Sequence, residues 1–564
     1  MNIKENKVFF ICLAAAAIVL IAALIIILLP NNENVNLFED KTYKIIIDGK
    51  VLGTGEVHTF DGEKYLSHDI VKKTVDPYIW HDEAYNMITI TTEHGLTRID
   101  IKSEENLQSA NVVLKDEKVF FKVKFIEDFY KITYEYNAEN NVIIFMSEEA
   151  IQGEVVSKVN KLCIREGMSI KEARVKVLEE VKNSKTAVLL EKASDKWYKV
   201  MAFSGEIGYV KSSEVEIQEN TTYKFAEMNS KMPGSAGGES EFKKDFSNKK
   251  INMVWEAVYN RKPTVEEVST AKGIDVIAPT WFELESADGD ILQKADIEIV
   301  DWAHSQGIYV WATIVSVTDC DMTRAFLQNQ QARTRYLDEI MGYAEEYKLD
   351  GINVDFEYMY EEDKMLFTQF IRELSALCHE RKLVLSCDVT ILSQSPKWSL
   401  CYDRESLSQA VDYLCVMFYD QHSGGGKVAG SVGQISWAED ALNKLFAQVP
   451  AEQIIFGMPF YTRLWKEAGD EENLTVTSSV LTMPQTEKLL AERSLTPTWD
   501  EESGQFYTEY LDGNEKYRLW IEDAASIAKR VELVNKYKLA GCAAWRRGFE
   551  TENIWNVIEE SLND

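Results

Sequence analysis

From Lys249 onward, eight short apolar runs of strand character alternate with amphipathic helix patterns, and few folds accept such a string. The runs are Ile251–Ala257, Asp275–Ala278, Tyr309–Ile314, Gly351–Phe356, Val384–Val389, Tyr413–Phe418, Ile454–Met458 and Gly541–Trp545. Ala295–Gln306, Asn329–Lys348, Asp363–Glu380 and Ser436–Ala447 fill gaps between them with helical periodicity. Eight βα alternations predict an α/β fold, a (β/α)8 TIM barrel, over residues 249–564. Functional groups then belong at the C-terminal ends of the strands. Lys466–Leu519, between strands 7 and 8, is longer than an ordinary connection and predicts a small α+β insertion that walls a cleft.

The chain ahead of the barrel divides by composition. Residues 1–34 hold an unbroken apolar run, Val8–Leu29, long enough to cross a bilayer. Lys4 and Lys7 precede it, so the positive-inside rule predicts one N-terminal transmembrane helix with a cytoplasmic tip. The expectation is a single-pass protein of the cell membrane, held through residues 8–29, with its barrel extracellular. A cleaved signal peptide is the competing reading, but Ile25–Leu29 run into Pro30 without a small-residue cleavage site. Residues 218–248 turn polar, and Met232-Pro233-Gly234-Ser235-Ala236-Gly237-Gly238 marks a linker.

Between these lie two small β-rich modules. In residues 35–150, Tyr65–Ile90 resembles Phe120–Phe145 at an offset of 55, each copy reading as strand, short helix and hairpin. Leu66 matches Phe121, Ile70 matches Phe125, Val75 matches Tyr130 and Asn86 matches Asn141. This resembles the copper amine oxidase N-terminal-like repeat of bacterial surface proteins, which implies a stalk or wall-contact role. No copper cluster accompanies it; His58, His68, His81 and His94 are dispersed and are expected at the surface. Residues 151–217 open with Leu162-Cys163-Ile164-Arg165-Glu166-Gly167 and close with Lys196-Trp197-Tyr198-Lys199-Val200 and Gly205-Glu206-Ile207-Gly208-Tyr209-Val210. That pattern resembles bacterial SH3-like domains, apart from a helical-looking insert, Lys171–Lys182, and the resemblance implies cell-wall binding.

Charge and cysteine usage exclude other classes. A net charge of −31 repels phosphate backbones, so no nucleic-acid partner is expected. Scattered histidines with no H-E-x-x-H predict no metal site, and nothing calls for a cofactor. Cys387 and Cys415 sit inside apolar strand runs and are expected as buried thiols.

Chemistry concentrates in strand 4: Leu349-Asp350-Gly351-Ile352-Asn353-Val354-Asp355-Phe356-Glu357. Side chains alternate along a strand, so Asn353, Asp355 and Glu357 share one face while Ile352, Val354 and Phe356 share the other. Three polar groups aimed into a barrel are costly unless paired or used. The motif D-G-x-x-x-D-x-E resembles glycoside hydrolase family 18. Met417-Phe418-Tyr419-Asp420, Gly457-Met458-Pro459-Phe460-Tyr461 and Trp545 match that family's strands 6, 7 and 8. Its usual D-x-x-D-x-D-x-E has Asn353 at the middle aspartate here. This variant is similar to the spore-cortex and peptidoglycan N-acetylglucosaminidases, as are Trp520-Ile521-Glu522-Asp523-Ala524-Ala525-Ser526 and Pro279-Thr280-Trp281-Phe282. The neutral amide is expected to ease ionisation of Asp355 by removing a like charge beside it.

The resemblance implies a substrate-assisted, retaining hydrolysis of β-linked N-acetylglucosamine. It makes Glu357 the acid and base, Asp355 the partner of the acetamido N–H, and Tyr419 the donor to the acetamido oxygen. Asn353 and Asp420 support that network, Trp545 floors the reacting sugar, Met417 lies beside it, and Trp281, Tyr461 and Arg463 are candidate sugar contacts. The expected substrate is peptidoglycan or, alternatively, chitin oligomers. A non-catalytic glycan-binding wall protein is the alternative from another class, disfavoured because Glu357 is present.

Overall fold

A computed structural model describes the chain from Tyr43 to Asn563 apart from internal stretches, of which 219–245, 104–109, 147–152, 171–176 and 182–186 are the longest. Two compact units emerge. One takes in the described residues from 43 to 218 except 82–85 and 89–98; the other takes in the described residues from 246 onward with those two segments.

The repeat is visible at its full offset. Strands Glu63–Ser67 and Lys118–Lys122 each lead directly into a helix, His68–Thr74 and Val123–Tyr130. Asn86 and Asn141 each hold a left-handed turn, at φ 47° and 50°, before strands Met87–Thr92 and Val142–Met146. Asparagine tolerates that conformation because its short amide bonds locally. His58, His68 and His81 are half-buried rather than surface residues: His68 stacks on Phe121 and lies 5.8 Å from the His81 ring. His94 lies outside the described residues.

The strands between Gly153 and Gln218 form a seven-stranded sheet around one core of Val155, Leu162, Ile164, Ala187, Leu189, Val200, Ala202, Val210 and Val215. The helical reading of Lys171–Lys182 fails in its described part. Val177–Val181 is a strand paired antiparallel with Leu162–Arg165. Pairing satisfies the backbone edge of that neighbour, which outweighs the helix preference of Leu178-Glu179-Glu180.

The expected single-pass placement in a cell membrane is corrected. Among the described residues no helix is long and apolar enough to cross a bilayer. The run that suggested one, Val8–Leu29, lies outside them, as does the Met232–Gly238 linker.

The second unit is the barrel. Its strands are β1 (Ile251–Glu256), β2 (Val276–Leu284), β3 (Tyr309–Ser316), β4 (Gly351–Asp355), β5 (Val384–Thr390), β6 (Tyr413–Met417), β7 (Ile454–Pro459) and β8 (Gly541–Trp545). All eight pair in parallel, and β1 pairs with both β2 and β8, which closes the cylinder. Alternation sends every second side chain inward. Ile251, Met253, Trp255, Val276, Ala278, Trp311, Val384, Cys415, Ile455 and Ala543 pack there as one cluster. Gly351 is needed in this lining: a Cβ would stand 2.7 Å from the Trp311 ring and from the Val384 carbonyl oxygen. Outward, Phe356 stacks on Phe367 and Phe370 of the helix Lys364–Glu380.

Aspartates fasten the opposite, N-terminal end. Asp275 accepts from the Asn252 N–H (2.9 Å), Asp350 from Val310 (2.7 Å) and Asp412 from Leu385 (2.8 Å). Each precedes an even-numbered strand and ties it to the strand before. The first aspartate of the strand 4 motif, Asp350, is therefore a structural residue.

After β7 the chain builds the expected insertion. Five strands over 461–521 form an antiparallel sheet with the helix Met483–Arg493. A buried knot ties it to the barrel. Glu522 accepts from Gln505 Nε2 (2.8 Å), Ser526 Oγ (2.8 Å) and the Arg530 guanidinium, while Arg530 also donates to the Gly433 carbonyl (2.6 Å).

Candidate active site

The C-terminal ends of β1, β3, β4, β5, β6 and β8 bring most of the predicted residues together. Asn353 lies in the barrel interior, fully buried, and Asp355 ends β4 with partial exposure. Glu357 follows two residues later, half-buried. Met417 ends β6 and is buried, and Tyr419 and Asp420 follow it, half-buried. Trp545 ends β8, partly exposed, with its ring 6.2 Å from that of Trp255.

Asn353 is the hub of a buried polar cluster. The Trp255 indole N–H, 3.1 Å from each, is shared between Asn353 Oδ1 and Asp388 Oδ2. Thr313 Oγ1 also donates to Asn353 Oδ1 (3.0 Å). The Asn353 amide donates to Asp388 Oδ1 (2.7 Å) and Ser386 Oγ (2.9 Å). An indole can only donate, so the asparagine atom facing it must be the carbonyl, which fixes the amide orientation.

Asp355, by contrast, has a buried Oδ1 with no hydrogen-bond partner among the described residues. A buried acceptor left unpaired is costly unless something donates to it. Burial lifts the Asp355 carboxyl to about 6. Glu357 is raised well above the ordinary glutamate value by burial first, then by the negative charges of Asp355 and Asp420. A glutamic acid that keeps its proton beside an aspartate that loses its own is an acid–carboxylate pair ready for proton transfer. Tyr419 is also raised, chiefly by burial, and stays a neutral donor.

Tyr461 and Arg463 join the site through Asp420. Tyr461 Oη donates to Asp420 Oδ1 (2.8 Å), Arg463 to the same oxygen (3.2 Å), and the rings of Tyr419 and Tyr461 meet edge to face at 6.4 Å. Trp281 does not reach the cleft: it exposes none of its surface and packs as core, offering no face to a sugar. The relief expected for Asp355 is also corrected. Asn353 is neutral, but burial raises the Asp355 carboxyl all the same.

Asp388, Trp255, Thr313 and Ser386 were not singled out in the sequence. The signal was the same alternation that revealed Asp355: Val384, Ser386, Asp388 and Thr390 share the inward face of β5. A cavity of about 620 Å³ opens over the ends of β1 and β8, lined by Tyr259, Arg261 and Arg546 among others. No cluster of metal-binding side chains occurs among the described residues.

The profile of glycosyl hydrolases family 18 matches residues 218–550. An uncharacterized glycosylase, YvbX, of Bacillus subtilis (strain 168) is 26% identical over 297 residues, 51% of this chain and 84% of that protein. The cortical fragment-lytic enzyme of the same organism is 26% identical over 251 residues, 43% of this chain and 57% of that protein. Among solved structures, a chitinase from Chromobacterium violaceum ATCC 12472 superposes with a TM-score of 0.51 at 23% identity. It covers 56% of this chain and 99% of its own. At such identity the likeness speaks for the fold alone.

Proposed function

The chain belongs to glycosyl hydrolases family 18 and is a glycoside hydrolase, and from that premise we propose that it cleaves β-linked N-acetylglucosamine in peptidoglycan by a retaining, substrate-assisted mechanism. One observation carries the reading: Glu357, held protonated, follows an Asp355 whose buried Oδ1 lacks a donor. The acetamido N–H of a bound sugar is a donor of the right kind. Glu357 protonates the glycosidic oxygen, and the sugar's own acetamido oxygen attacks C1. Asp355 accepts the acetamido N–H and balances the positive charge of the resulting oxazolinium ion, while Tyr419 donates to the acetamido oxygen. Glu357 then takes a proton from water, which opens the ring from the same face and retains the anomer.

Trp545 is read as the floor under the reacting sugar. Asp420, held by Tyr461 and Arg463, is read as its neighbour on the β6 side, next to Met417. Peptidoglycan is favoured over chitin by the Asn353 variant, by the similarity to a cortical fragment-lytic enzyme, and by the SH3-like module over 151–217. That module and the repeat over 35–150 are read as wall-contact elements that raise the local concentration of glycan around the barrel of 249–564.

Digestion of purified peptidoglycan, with chitin oligomers in parallel, tests the proposal. Products ending in reducing N-acetylglucosamine are expected. Reducing N-acetylmuramic ends, or cleavage of chitin with peptidoglycan untouched, would overturn the substrate assignment.

A further inference from the structure

Asp388 is a buried acid that the mechanism above does not use. It is 2% exposed, and its neighbours are fixed by register. Asn353 pairs with Ser386 and Val354 with Cys387, so Asp388 stands level with Asp355 on the adjoining strand, and on its other side it pairs with Cys415. The groups facing it are Asp355 from β4, Glu357 just beyond β4, the Cys415 thiol from β6, Tyr419 just beyond β6, and the neutral Trp255 and Asn353. Its own neighbour Cys387 is a buried thiol.

We propose that Asp388 is the working partner of Asp355: the two carboxyls hold one proton between them, and Asp388 supplies from β5 the carboxyl that position 353 of this chain lacks. The inference rests on the reading of Asp355 given above. Two carboxylates side by side in a water-poor barrel cannot both ionise, so their protons leave in two steps that belong to the pair. Burial, and then the charge of Asp355, hold Asp388 well above the ordinary aspartate value, against the hydrogen bonds it accepts from Asn353, Cys415 and the Trp255 indole. The total charge of the pair stays at minus one through the reaction. When Asp355 carries the charge opposite the oxazolinium ion, Asp388 carries the proton; no outside acid or base is required. Asp388 is thus a positioning residue that acts through Asp355.

Two measurements on the full chain test this. Carbon-13 NMR of aspartate carboxyls, assigned with Asp355→Asn and Asp388→Asn, reads protonation without any need for activity. At pH 7 the pair is expected to hold one proton, and Asp388→Asn should collapse its two-step titration to one. Two carboxylates at pH 7 would overturn the proposal, whether or not glycan is cleaved. The second measurement is a charge exchange. Asp388→Asn should lower kcat at least tenfold with KM nearly unchanged and displace the pH profile. Asn353→Asp alone, which adds a third like charge, should also be slow. The double variant Asn353→Asp/Asp388→Asn restores one amide and one carboxyl and should recover kcat to within a few-fold. A double variant no better than either single one, with an unmoved pH profile, would reduce Asp388 to a packing role. Failure of the wild type to cleave any N-acetylglucosamine glycan would instead sink the functional reading while the NMR result stands.

Discussion

Replacing Arg530 with Met should destabilise the barrel in a pH-dependent way. Arg530 and Glu522 are each 1% exposed, and the guanidinium donates to both oxygens of that carboxylate and to the Gly433 carbonyl. Methionine fills much of the volume but leaves Glu522 with only Ser526 and Gln505 as donors. Breaking a buried pair from one side costs about 3–5 kcal/mol, and the bare Gly433 carbonyl adds roughly 1–3 kcal/mol unless water reaches it. Glu522 can limit the loss by taking a proton, because burial already lifts its carboxyl despite Arg530. Its folded value then lies above the unfolded value of about 4.3, so its contribution is fully present below that pH and is lost as pH rises through the folded value. The deficit of Arg530→Met is therefore smallest near pH 5 and grows by up to about 1.4 kcal/mol per unit above it. At roughly 2–4 °C per kcal/mol for large domains, a loss of about 4–8 kcal/mol at pH 8 should lower the midpoint by about 8–32 °C. Tryptophan fluorescence reports on this unit, since all of the 13 tryptophans except Trp80 and Trp197 follow Lys249. Adding Glu522→Gln should recover part of the loss and remove its pH dependence. A loss under about 1 kcal/mol, equal at pH 5 and pH 8, would refute the argument that this pair is a buried charge pair.

Glu357→Gln should reduce turnover by about 10²–10⁴-fold while glycan binding, read by calorimetry, survives; activity within a few-fold of wild type would remove Glu357 from its role. The kcat/KM profile should fall below about pH 6 as Asp355 takes a proton, and fall again where Glu357, raised by burial and by Asp355 and Asp420, loses its own. A profile flat from pH 4 to 6 would count against Asp355. Tyr461→Phe leaves Asp420 to Arg463 alone and should raise KM more than it lowers kcat; an unchanged KM would place Asp420 outside the sugar site.

The barrel was legible because each strand is short, apolar and bracketed by helix patterns, and all eight lie where that spacing placed them. Asp355 and Glu357 stood out because three polar residues at spacing two are costly in a strand unless used. Asp388 carried the same signal more faintly: its neighbours Ser386 and Thr390 read as ordinary β residues, and no motif marks them. Its importance comes from register between β4 and β5, a tertiary fact that one strand does not contain. Trp281 misled for the converse reason. It sits in a stretch resembling the subgroup, but its side chain is fully buried as core. Lys171–Lys182 read as a helix because propensity is local, whereas the unpaired edge of Leu162–Arg165 that recruits Val177–Val181 is not.

In the proposed mechanism the sugar's acetamido group does the work of a nucleophile. The direct measurement is the hydrolysis rate of aryl chitobiosides whose N-acetyl group, on the sugar that is cleaved, bears zero, one, two or three fluorines. Each fluorine withdraws electron density from the attacking oxygen, so log kcat should fall steeply and in order along the series. A rate insensitive to fluorination would mean that a protein side chain attacks C1, and would contradict the mechanism assigned to Glu357 and Asp355.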